Sequence, residues 1–544
     1  MLSRPLPRIV AVRDDASRNR GLHQRARLGN IDGAAIMGSE WTRRELLKRG
    51  AAIAGVCRLR CLRAFAEPAL DLANDPRRPQ YHLLPAANWM NDPNGPLYWK
   101  GQYHMFFQYD PHGAYWGDMH WAHAVSPDMV HWRHLPVALS PTPGGPDQDG
   151  CFSGSAVVVG RVPTFIYTGV ASVPKDRATL SDGHNNFRET QCIATSDVPL
   201  LKTWTKDPMP VIAAPPPGLE ITGFRDPCPW RHGDWWYLNV GSGVRGKGGM
   251  ILLYRSRDFR HWEYLHPLVE GTMPTGQAPN ATNPVNSGEM WECPDFFAIR
   301  DKYVLIYSTQ GKVFWKSGVL DVPAMRFRQE QSGVLDHGSF YAPKTQLDKD
   351  GRRILWGWVP ETRPLEQYRA AGWAGLMSLP RVLDLDPKGK LEMRVLPAVE
   401  SLRKMKVEGM KDEAKRIQGC CGEVQYATTL TNEPFGFSLN MEDGTAQGSE
   451  LVGVEWKPQE PRLLLDGKEI PSDTQGRNVL DLQAYVDGSV VELFINNCVA
   501  CTKRFYYGGN KAPEIRVGIN GSVRESSVWQ MTPISPDRLS AEST

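Results

Sequence analysis

The sequence predicts an all-β protein in which a five-bladed β-propeller is followed by a β-sandwich. Aromatic residues are frequent, with 18 Trp in 544 residues, and so are the turn-forming residues Gly (51) and Pro (43). This composition is typical of many short strands separated by turns. Strand-like aromatic segments recur roughly every 50–70 residues, which is the period of four-stranded blades. No long stretch has the periodicity of an amphipathic helix.

Charge and cysteine content narrow the class of partners. The 63 basic residues nearly balance the 60 acidic residues, for a net charge of +3, so nothing favours a nucleic-acid or membrane partner. The ten Cys are scattered, and the CxxC at Cys498–Cys501 has no second pair. We therefore expect most thiols to be small core residues, with no metal site and no cofactor.

The first 66 residues read as a leader. Thr42–Lys48 (TRRELLK) is followed by the small and apolar segment Gly50–Val56, a pattern that resembles a twin-arginine export signal, and Ala64–Ala66 suits a signal peptidase. Three arginines interrupt the region between them, so a basic amphipathic tail is the alternative. The apolar run is too short to span a bilayer. We expect export to the periplasm or the medium, with cleavage near Ala66.

Five aromatic segments define the predicted propeller, which we place at residues 78–400. They alternate with turn signals and are Tyr103–Tyr109, Thr164–Thr168, Trp235–Val240, Tyr303–Ser308 and Arg353–Trp358. A β-sandwich also alternates apolar and polar residues, but its strands recur at about 8–12 residues without the longer period. Five similar strands therefore indicate five blades, each contributing loops to one end of a central channel.

A histidine-rich segment at residues 118–134 is a candidate metal site. His120 and His123 are three residues apart, as are His131 and His134. On a strand this spacing places the two rings on opposite faces. We therefore expect strand packing here and not metal binding.

Three acidic motifs recur along the propeller region: Trp89–Gly95 (WMNDPNG), Phe224–Pro227 (FRDP) and Trp291–Asp295 (WECPD). We expect the first to form a loop that its Pro and Gly stiffen and turn. Loops from different blades converge on one channel mouth, so the three carboxylates can meet there. An adjacent arginine favours an ionised Asp226, whereas an apolar pocket of Trp and Cys disfavours an ionised Glu292. Such divergent environments suit acid and nucleophile roles.

These motifs resemble the three signature motifs of glycoside hydrolase family 32, the invertase, levanase and inulinase family of β-fructosidases. The likeness is dense over about residues 78–400 and includes Gly117–Trp121, Gly150–Ser155, Arg352–Trp358 and Gly372–Gly375. Leu482–Phe494 resembles the family's carboxy-terminal β-sandwich module. The resemblance implies a five-bladed propeller followed by that module, which agrees with the strand pattern.

The resemblance also implies roles for single residues. Asp92 matches the nucleophile, Glu292 the general acid/base, and Asp226 the carboxylate that holds fructosyl hydroxyls. Retaining glycosidases keep nucleophile and acid/base about 5–5.5 Å apart, and we expect that spacing here. The positions that match substrate contacts are Asn91, Gln108, Trp116, Phe152, Ser153 and Arg225. The two aromatic residues among them also fit a role in the core.

The composition shifts near residue 400, where we place the domain boundary. Residues 415–540 alternate apolar and polar side chains, with turns at Asp443-Gly444, Asp466-Gly467, Asp487-Gly488 and Gly508-Gly509. This pattern predicts a two-sheet sandwich. We expect it to support the propeller, and polysaccharide binding is a weaker alternative.

The sequence thus predicts an exported retaining hydrolase that releases fructose from a small or polymeric β-fructoside, namely sucrose, inulin or levan. A fructosyltransferase uses the same three carboxylates and stays open as an alternative. An arabinan- or xylan-cleaving hydrolase is disfavoured because it lacks the Asn-Asp-Pro-Asn-Gly context. A noncatalytic sugar-binding protein has no need of all three carboxylates. Substrate preference, exo or endo action and oligomeric state are open.

Overall fold

A computed structural model describes residues 71–534 apart from 181–185, 275, 277, 279–282, 409–413, 443, 445–447 and 471–477. The features below lie in the compact unit Leu72–Thr544. The predicted leader, residues 1–66, lies outside the described residues, as does Asp443 of the predicted Asp443-Gly444 turn.

Five sheets, built mainly from antiparallel strand pairs, account for the first part of the described chain. The first contains β1 (Asn88–Trp99), β2 (Gln102–Asp110), β3 (His120–Ser126) and β4 (Arg133–Leu139). The second contains β5 (Cys151–Val159), β6 (Val162–Ser172), β7 (Phe187–Thr195) and β8 (Thr205–Lys206). The third contains β9 (Ile221–His232), β10 (Trp235–Val244), β11 (Gly248–Ser256) and β12 (Glu263–Glu270). The fourth contains β13 (Glu292–Ile299), β14 (Lys302–Thr309), β15 (Lys312–Asp321) and β16 (Arg326–Val334).

The fifth sheet is linked to the first. The chain after β16 forms six strands, five of which belong to the fifth sheet: β17 (Tyr341–Leu347), β18 (Arg353–Val359), β19 (Trp373–Ala374), β20 (Leu376–Met377), β21 (Arg381–Leu385) and β22 (Leu391–Val395). The order is β17-β18-β21-β22, and β20 pairs with β18. Strand β19 instead pairs in parallel with β1, through Asn88 and Trp373. A late segment of the chain is therefore joined to the first sheet by backbone hydrogen bonds.

Two six-stranded sheets form the rest. Their strands are β23 (Arg403–Lys406), β24 (Arg416–Ile417), β25 (Cys421–Thr429), β26 (Phe435–Glu442), β27 (Ser449–Lys457), β28 (Arg462–Leu465), β29 (Lys468–Ile470), β30 (Val479–Asp487), β31 (Val490–Ile495), β32 (Val499–Arg504), β33 (Glu514–Asn520) and β34 (Glu525–Met531). The sheet orders are β23-β34-β25-β30-β31-β32 and β24-β33-β26-β27-β28-β29. At the predicted turn Asp466-Gly467 both residues have positive φ, 49° and 74°, as a tight two-residue hairpin requires.

Helices are few and short in the described chain. The two α-helices are α1 (Pro284–Ser287) and α2 (Leu365–Ala371). Short 3-10 segments occur at Leu72–Asn74, Lys175–Arg177, Pro397–Leu402 and Gln418–Cys420. Among the described residues, no helix is long and apolar enough to cross a membrane. The observed class is therefore all-β, as the sequence predicts.

The five aromatic segments that the sequence singles out occupy equivalent places. Each lies in the second strand of its sheet, in β2, β6, β10, β14 and β18 respectively. These strands pair with a neighbour on both sides and are largely buried, for example Val304–Thr309 of β14. A strand covered by sheet neighbours and by packing on its faces becomes almost continuously apolar, which explains why its signal stands out.

The first strands of the five sheets contact one another in a closed order. Strand β1 contacts β5, β5 contacts β9, β9 contacts β13, β13 contacts β17, and β17 contacts β1. The residues on these strands therefore line one common centre, although they come from sheets far apart in sequence.

The carboxy-terminal sheets have a core of their own and a second contact with the earlier sheets. One apolar cluster lies between the two six-stranded sheets and includes Leu439, Val452 and Leu482. Another joins Tyr485 and Phe494 to residues of the fourth and fifth sheets. Buried ion pairs reinforce this contact, since a fully buried arginine, Arg381, donates to Asp336 and Glu492.

Candidate active site

Each of the five inner strands has a register irregularity at a similar level. The interruptions fall between Met90 and Pro93 in β1, Phe152 and Gly154 in β5, Arg225 and Cys228 in β9, Glu292 and Asp295 in β13, and Tyr341 and Lys344 in β17. A β-bulge redirects the side chain at its position. Four of these bulges contain a proline, which cannot donate to a ladder and is tolerated at a bulge.

The backbone at these bulges is strained at two of the acidic motifs. Asp226 has φ of 64° and Cys293 has φ of 48°, in the left-handed region that side chains other than glycine seldom adopt. Such conformations cost roughly 1–3 kcal/mol each and cluster at functional sites. The surrounding sheets therefore hold these residues in positions that the isolated chain would not favour.

The motif Trp89–Gly95 differs from the expected loop, because it lies within strand β1. Interpreting it as a loop was wrong: its Asn, Asp, Pro and Gly residues are accommodated by two bulges in a strand. Gly95 has φ of 47°, and a Cβ there would lie 2.8 Å from the Cβ of Ala156 on β5. Glycine is therefore required for the close approach of the first two sheets.

Asp92 is held by hydrogen bonds from three neighbours. Ser153 Oγ donates to Asp92 Oδ2 at 2.6 Å, and Asn91 Nδ2 donates to Oδ1 at 3.0 Å. Cys293 Sγ lies 3.5 Å from Oδ2, and Trp89 Nε1 fixes the amide of Asn91 by donating to its Oδ1 at 2.7 Å. Burial raises the pKa of the Asp92 carboxyl, and these hydrogen bonds oppose that rise. The charge of a second carboxylate nearby adds to it.

Asp226 is buried and tied to two other strands. The backbone N–H of Cys293 donates to Asp226 Oδ2 at 2.8 Å, and the Asp226 N–H donates to Thr168 Oγ1 at 3.0 Å. Burial raises the pKa of Asp226 to about 7, Arg225 opposes the rise, and the charges of the other two carboxylates add to it. Arg225 favours the ionised form of Asp226, as the sequence predicts, but burial and those two carboxylates outweigh it.

Glu292 lies in a polar environment and not in the apolar pocket expected from its neighbours. Arg225 Nε and Nη2 donate to Glu292 Oε1 at 3.1 and 2.8 Å, and the Tyr341 hydroxyl donates to Oε2 at 2.9 Å. The ring of Trp291 instead stacks on Tyr307 with centroids 4.0 Å apart. The Glu292 side chain is 21% exposed, so solvent can reach this carboxylate.

Arg225 connects Glu292 to a fourth carboxylate. Its Nη1 donates to Glu189 Oε1 at 3.0 Å, and Glu189 Oε2 accepts the Phe224 N–H at 2.5 Å. Glu189 is 2% exposed and lies on β7. Sequence reasoning missed Glu189, for which no local signal exists. It also missed Tyr341, although Tyr341-Ala342-Pro343 repeats the proline-containing pattern of the three acidic motifs.

The remaining sequence-predicted residues lie around this group with different exposures. Gln108 is 2% exposed, and its Nε2 donates to the carbonyl of Cys151 at 2.9 Å. Trp116 is 42% exposed, so it is not a core residue, and its ring centroid lies 6.0 Å from that of Phe152. Phe152 packs beside an apolar cluster that contains Trp89.

The arrangement can break an acetal bond. Three carboxylates from β1, β9 and β13 lie near enough for their charges to act on one another, and acid/base and nucleophilic roles in glycoside hydrolysis require a pair of carboxylates. The hydrogen-bonded Glu292 side chain is 21% exposed and Asp226 is buried. The exposed Trp116, whose ring lies near that of Phe152, is suited to stacking on a sugar.

Comparison with known proteins places the chain in one family. Residues 82–394 match the model "Glycosyl hydrolases family 32 N-terminal domain", and residues 399–530 match the family's C-terminal model. Sucrose-6-phosphate hydrolase of Escherichia coli is 35% identical over 487 residues, covering 83% of this chain and 94% of its own length. The cell-wall isozyme of β-fructofuranosidase from Zea mays is 36% identical over 422 residues, covering 71% of this chain and 67% of its own.

Solved structures of members of this family also align with this chain. The GH32 β-fructofuranosidase BmSUC1 of Bombyx mori aligns with a TM-score of 0.70 at 27% identity, covering 90% of this chain and 99% of its own. Fructan 1-exohydrolase IIa of Cichorium intybus aligns with a TM-score of 0.69 at 27% identity, covering 85% and 98%. With both domain models matched in sequence order and the carboxylates assembled, the chain belongs to glycosyl hydrolase family 32 and is a glycoside hydrolase.

Proposed function

We propose that this protein hydrolyses the bond to a terminal β-D-fructofuranosyl residue, with retention of configuration, through a fructosyl-Asp92 intermediate. The observation that carries the proposal is the placement of Asp92 and Glu292 in one group with Asp226, each held by hydrogen bonds from different strands. The curated relatives include a sucrose-6-phosphate hydrolase, a raffinose invertase and β-fructofuranosidases, and BmSUC1 of Bombyx mori has been solved as a variant in complex with sucrose.

Asp92 is the nucleophile in this proposal. Its Oδ1 and Oδ2 accept from Asn91 and Ser153, and those donors favour the ionised form against the effect of burial. The carboxylate attacks the anomeric carbon, so a C–O bond to Asp92 forms while the glycosidic C–O bond breaks. The spacing of about 5–5.5 Å to the acid/base stays a prediction.

Glu292 is the general acid and then the general base. It gives its proton to the departing glycosidic oxygen, and the leaving sugar departs as an alcohol. Water then enters, gives a proton to Glu292, and forms the new bond to the anomeric carbon as the bond to Asp92 breaks. Two inversions give net retention. Arg225 and Tyr341 hold the Glu292 carboxyl during both steps.

Asp226 holds hydroxyl groups of the fructosyl ring. Its Oδ2 already accepts the N–H of Cys293, which fixes the carboxyl and leaves its other oxygen directed away from that bond. Hydrogen bonds to ring hydroxyls strengthen as positive charge develops on the sugar in the transition state. Ser153, Arg225, Asn91, Gln108, Phe152 and Trp116 are proposed to complete the substrate-binding site.

The proposed architecture is a five-bladed propeller over residues 78–400 followed by a sandwich over residues 415–540. The closed order of contacts among β1, β5, β9, β13 and β17 supports five blades around one channel. The apolar cluster between the two six-stranded sheets supports the sandwich. We further propose export through the twin-arginine-type segment Thr42–Lys48, and sequencing the amino terminus of secreted protein tests cleavage near Ala66.

Proton NMR of the purified protein with sucrose, inulin and levan in separate tubes tests the function. The expected result is fructose that appears first as the β-anomer, with the fastest tube naming the preferred substrate. Fructose appearing first as the α-anomer contradicts retention. Oligosaccharides that lengthen from sucrose assign transfer, and binding shifts without turnover in any tube assign a sugar-binding protein. The Asp92→Asn variant is the matched control, and full activity of that variant removes the nucleophile assignment.

A further inference from the structure

Arg225 makes hydrogen bonds with two carboxylates at once. Its Nε and Nη2 point to Glu292, and its Nη1 points to Glu189. The two carboxylates come from the fourth and second sheets, and Arg225 itself lies on the third. One positive charge is therefore divided between two negative charges.

The two carboxylates hold the arginine unequally. Glu189 is 2% exposed, and its second oxygen accepts the Phe224 N–H at 2.5 Å. The Glu292 side chain is 21% exposed, so water can replace part of the hydrogen bonding that the arginine provides. A buried carboxylate without a partner is much more costly than a partly hydrated one. Glu189 therefore retains its share of the guanidinium.

We propose that Glu189 is a positioning residue for the acid/base: it competes with Glu292 for the guanidinium of Arg225 and thereby sets the pH above which Glu292 no longer delivers a proton. This inference rests on the proposed role of Glu292 as the acid/base. Glu189 is 2% exposed and holds Arg225 and the N–H of Phe224, so in this proposal it acts through Arg225 and not on the substrate.

Other charged and titratable groups also face Glu292. Asp92 comes from β1, Asp226 from β9, Cys293 from its own strand and Tyr341 from β17. Deeper in β17, Lys344 donates to the carbonyl of Pro294 at 2.9 Å and faces Asp226 and Cys293. These groups are unchanged by a substitution at position 189, so a change measured there is assigned to the Glu189 charge and the arginine that it shares with Glu292.

Neutralising Glu189 acts on Glu292 in one direction by two routes. The arginine becomes fully available to Glu292, and a like charge is removed from its surroundings. Both effects favour the ionised form of Glu292. Because the first chemical step needs the protonated acid, the alkaline limb of the kcat/KM profile reports the loss of that proton from the free enzyme. We expect Glu189→Gln to move the limb down by about one pH unit, or about tenfold in activity on the alkaline side.

The test is the pH profile of kcat/KM on sucrose, with the full chain and the variants Glu189→Gln, Glu189→Asp, Glu292→Gln and Glu423→Gln. Glu423 is the matched control, since it is a buried glutamate that pairs with Arg403 in the carboxy-terminal sheets. Its replacement should leave the limb in place. Glu189→Asp keeps the charge but withdraws it by one methylene, so its limb should shift downward by less than that of Glu189→Gln. This variant provides the test if Glu189→Gln does not fold.

The results distinguish a failure of the proposed role of Glu189 from a failure of the acid/base role of Glu292. A limb lost in Glu292→Gln and lowered in the folded variants at position 189 supports the proposal. If Glu292→Gln loses the limb but the variants at position 189 lose activity equally at every pH, Glu189 is structural and the inference fails alone. A limb that moves upward also overturns it. A limb retained by Glu292→Gln overturns the acid/base assignment itself and the inference with it.

Discussion

Removing the hydroxyl of Tyr341 should raise the pH at which activity is lost on the alkaline side. This hydroxyl donates to Glu292 Oε2 at 2.9 Å. A donor stabilises the ionised form of its acceptor, so Tyr341→Phe disfavours the ionised Glu292 carboxylate and keeps the acid protonated to a higher pH. The alkaline limb should therefore move in the direction opposite to that expected for Glu189→Gln.

The size of the shift follows from the exposure of the carboxyl. A hydrogen bond to a charged group contributes about 1.5–3 kcal/mol. The Glu292 side chain is 21% exposed, so water can enter and recover part of that energy. The lower end of the range, about 1.5 kcal/mol, corresponds to about one pH unit. At a pH one unit above the wild-type limb, the variant should therefore retain several times more of its maximal activity than the wild type.

The assay is kcat/KM on sucrose across the pH range, for Tyr341→Phe beside the wild type. Tyr426→Phe serves as the control, because Tyr426 also loses a hydroxyl hydrogen bond, to the carbonyl of Ser522, but lies in the carboxy-terminal sheets. An unchanged limb in Tyr341→Phe would show that water fully replaces the hydroxyl. A limb displaced downward would refute the argument that the tyrosine stabilises the ionised carboxylate.

Three further predictions concern the nucleophile, the fold and the pH dependence of stability. Ser153→Ala removes the 2.6 Å hydrogen bond to Asp92, so the pKa of Asp92 rises. The acidic limb of the kcat/KM profile should therefore move up by about one pH unit. A stationary limb would argue against Asp92 as the ionised nucleophile. Gly95→Ala places a methyl group 2.8 Å from Ala156, at a position whose φ is 47°. The substitution should lower the free energy of unfolding, measured by urea denaturation, by about 1–3 kcal/mol. A variant as stable as the wild type would contradict the close packing there. Buried His82 has its pKa raised from 6.5 to about 9 by its carboxylate partners, so its stabilising contribution is complete below about pH 6.5 and is lost as the pH rises through about 9. Urea denaturation of the wild type should show this loss, and His82→Gln should not; parallel curves would refute it.

The candidate site was predictable from sequence where its signals are local. Asp92, Asp226 and Glu292 each lie beside a proline or one residue from it, because a bulge in an inner strand accepts a residue that cannot donate to the ladder. The same pattern at Tyr341 went unused because its residue is not acidic. Glu189 had no local signal, since the arginine that it pairs with lies 36 positions later.

What the sequence alone determined is the β-strand content, the five repeated aromatic strands and the three acidic motifs. Aromatic and turn residues act within a few positions of themselves, so a linear pattern reports them. The tertiary structure decided that the motif at Asp92 is a bulged strand, that Arg225 pairs with Glu189 and Glu292, and that burial raises the pKa of Asp226 to about 7. Hydrogen bonds and desolvation depend on which groups meet in space, and the groups that meet here come from strands of different sheets.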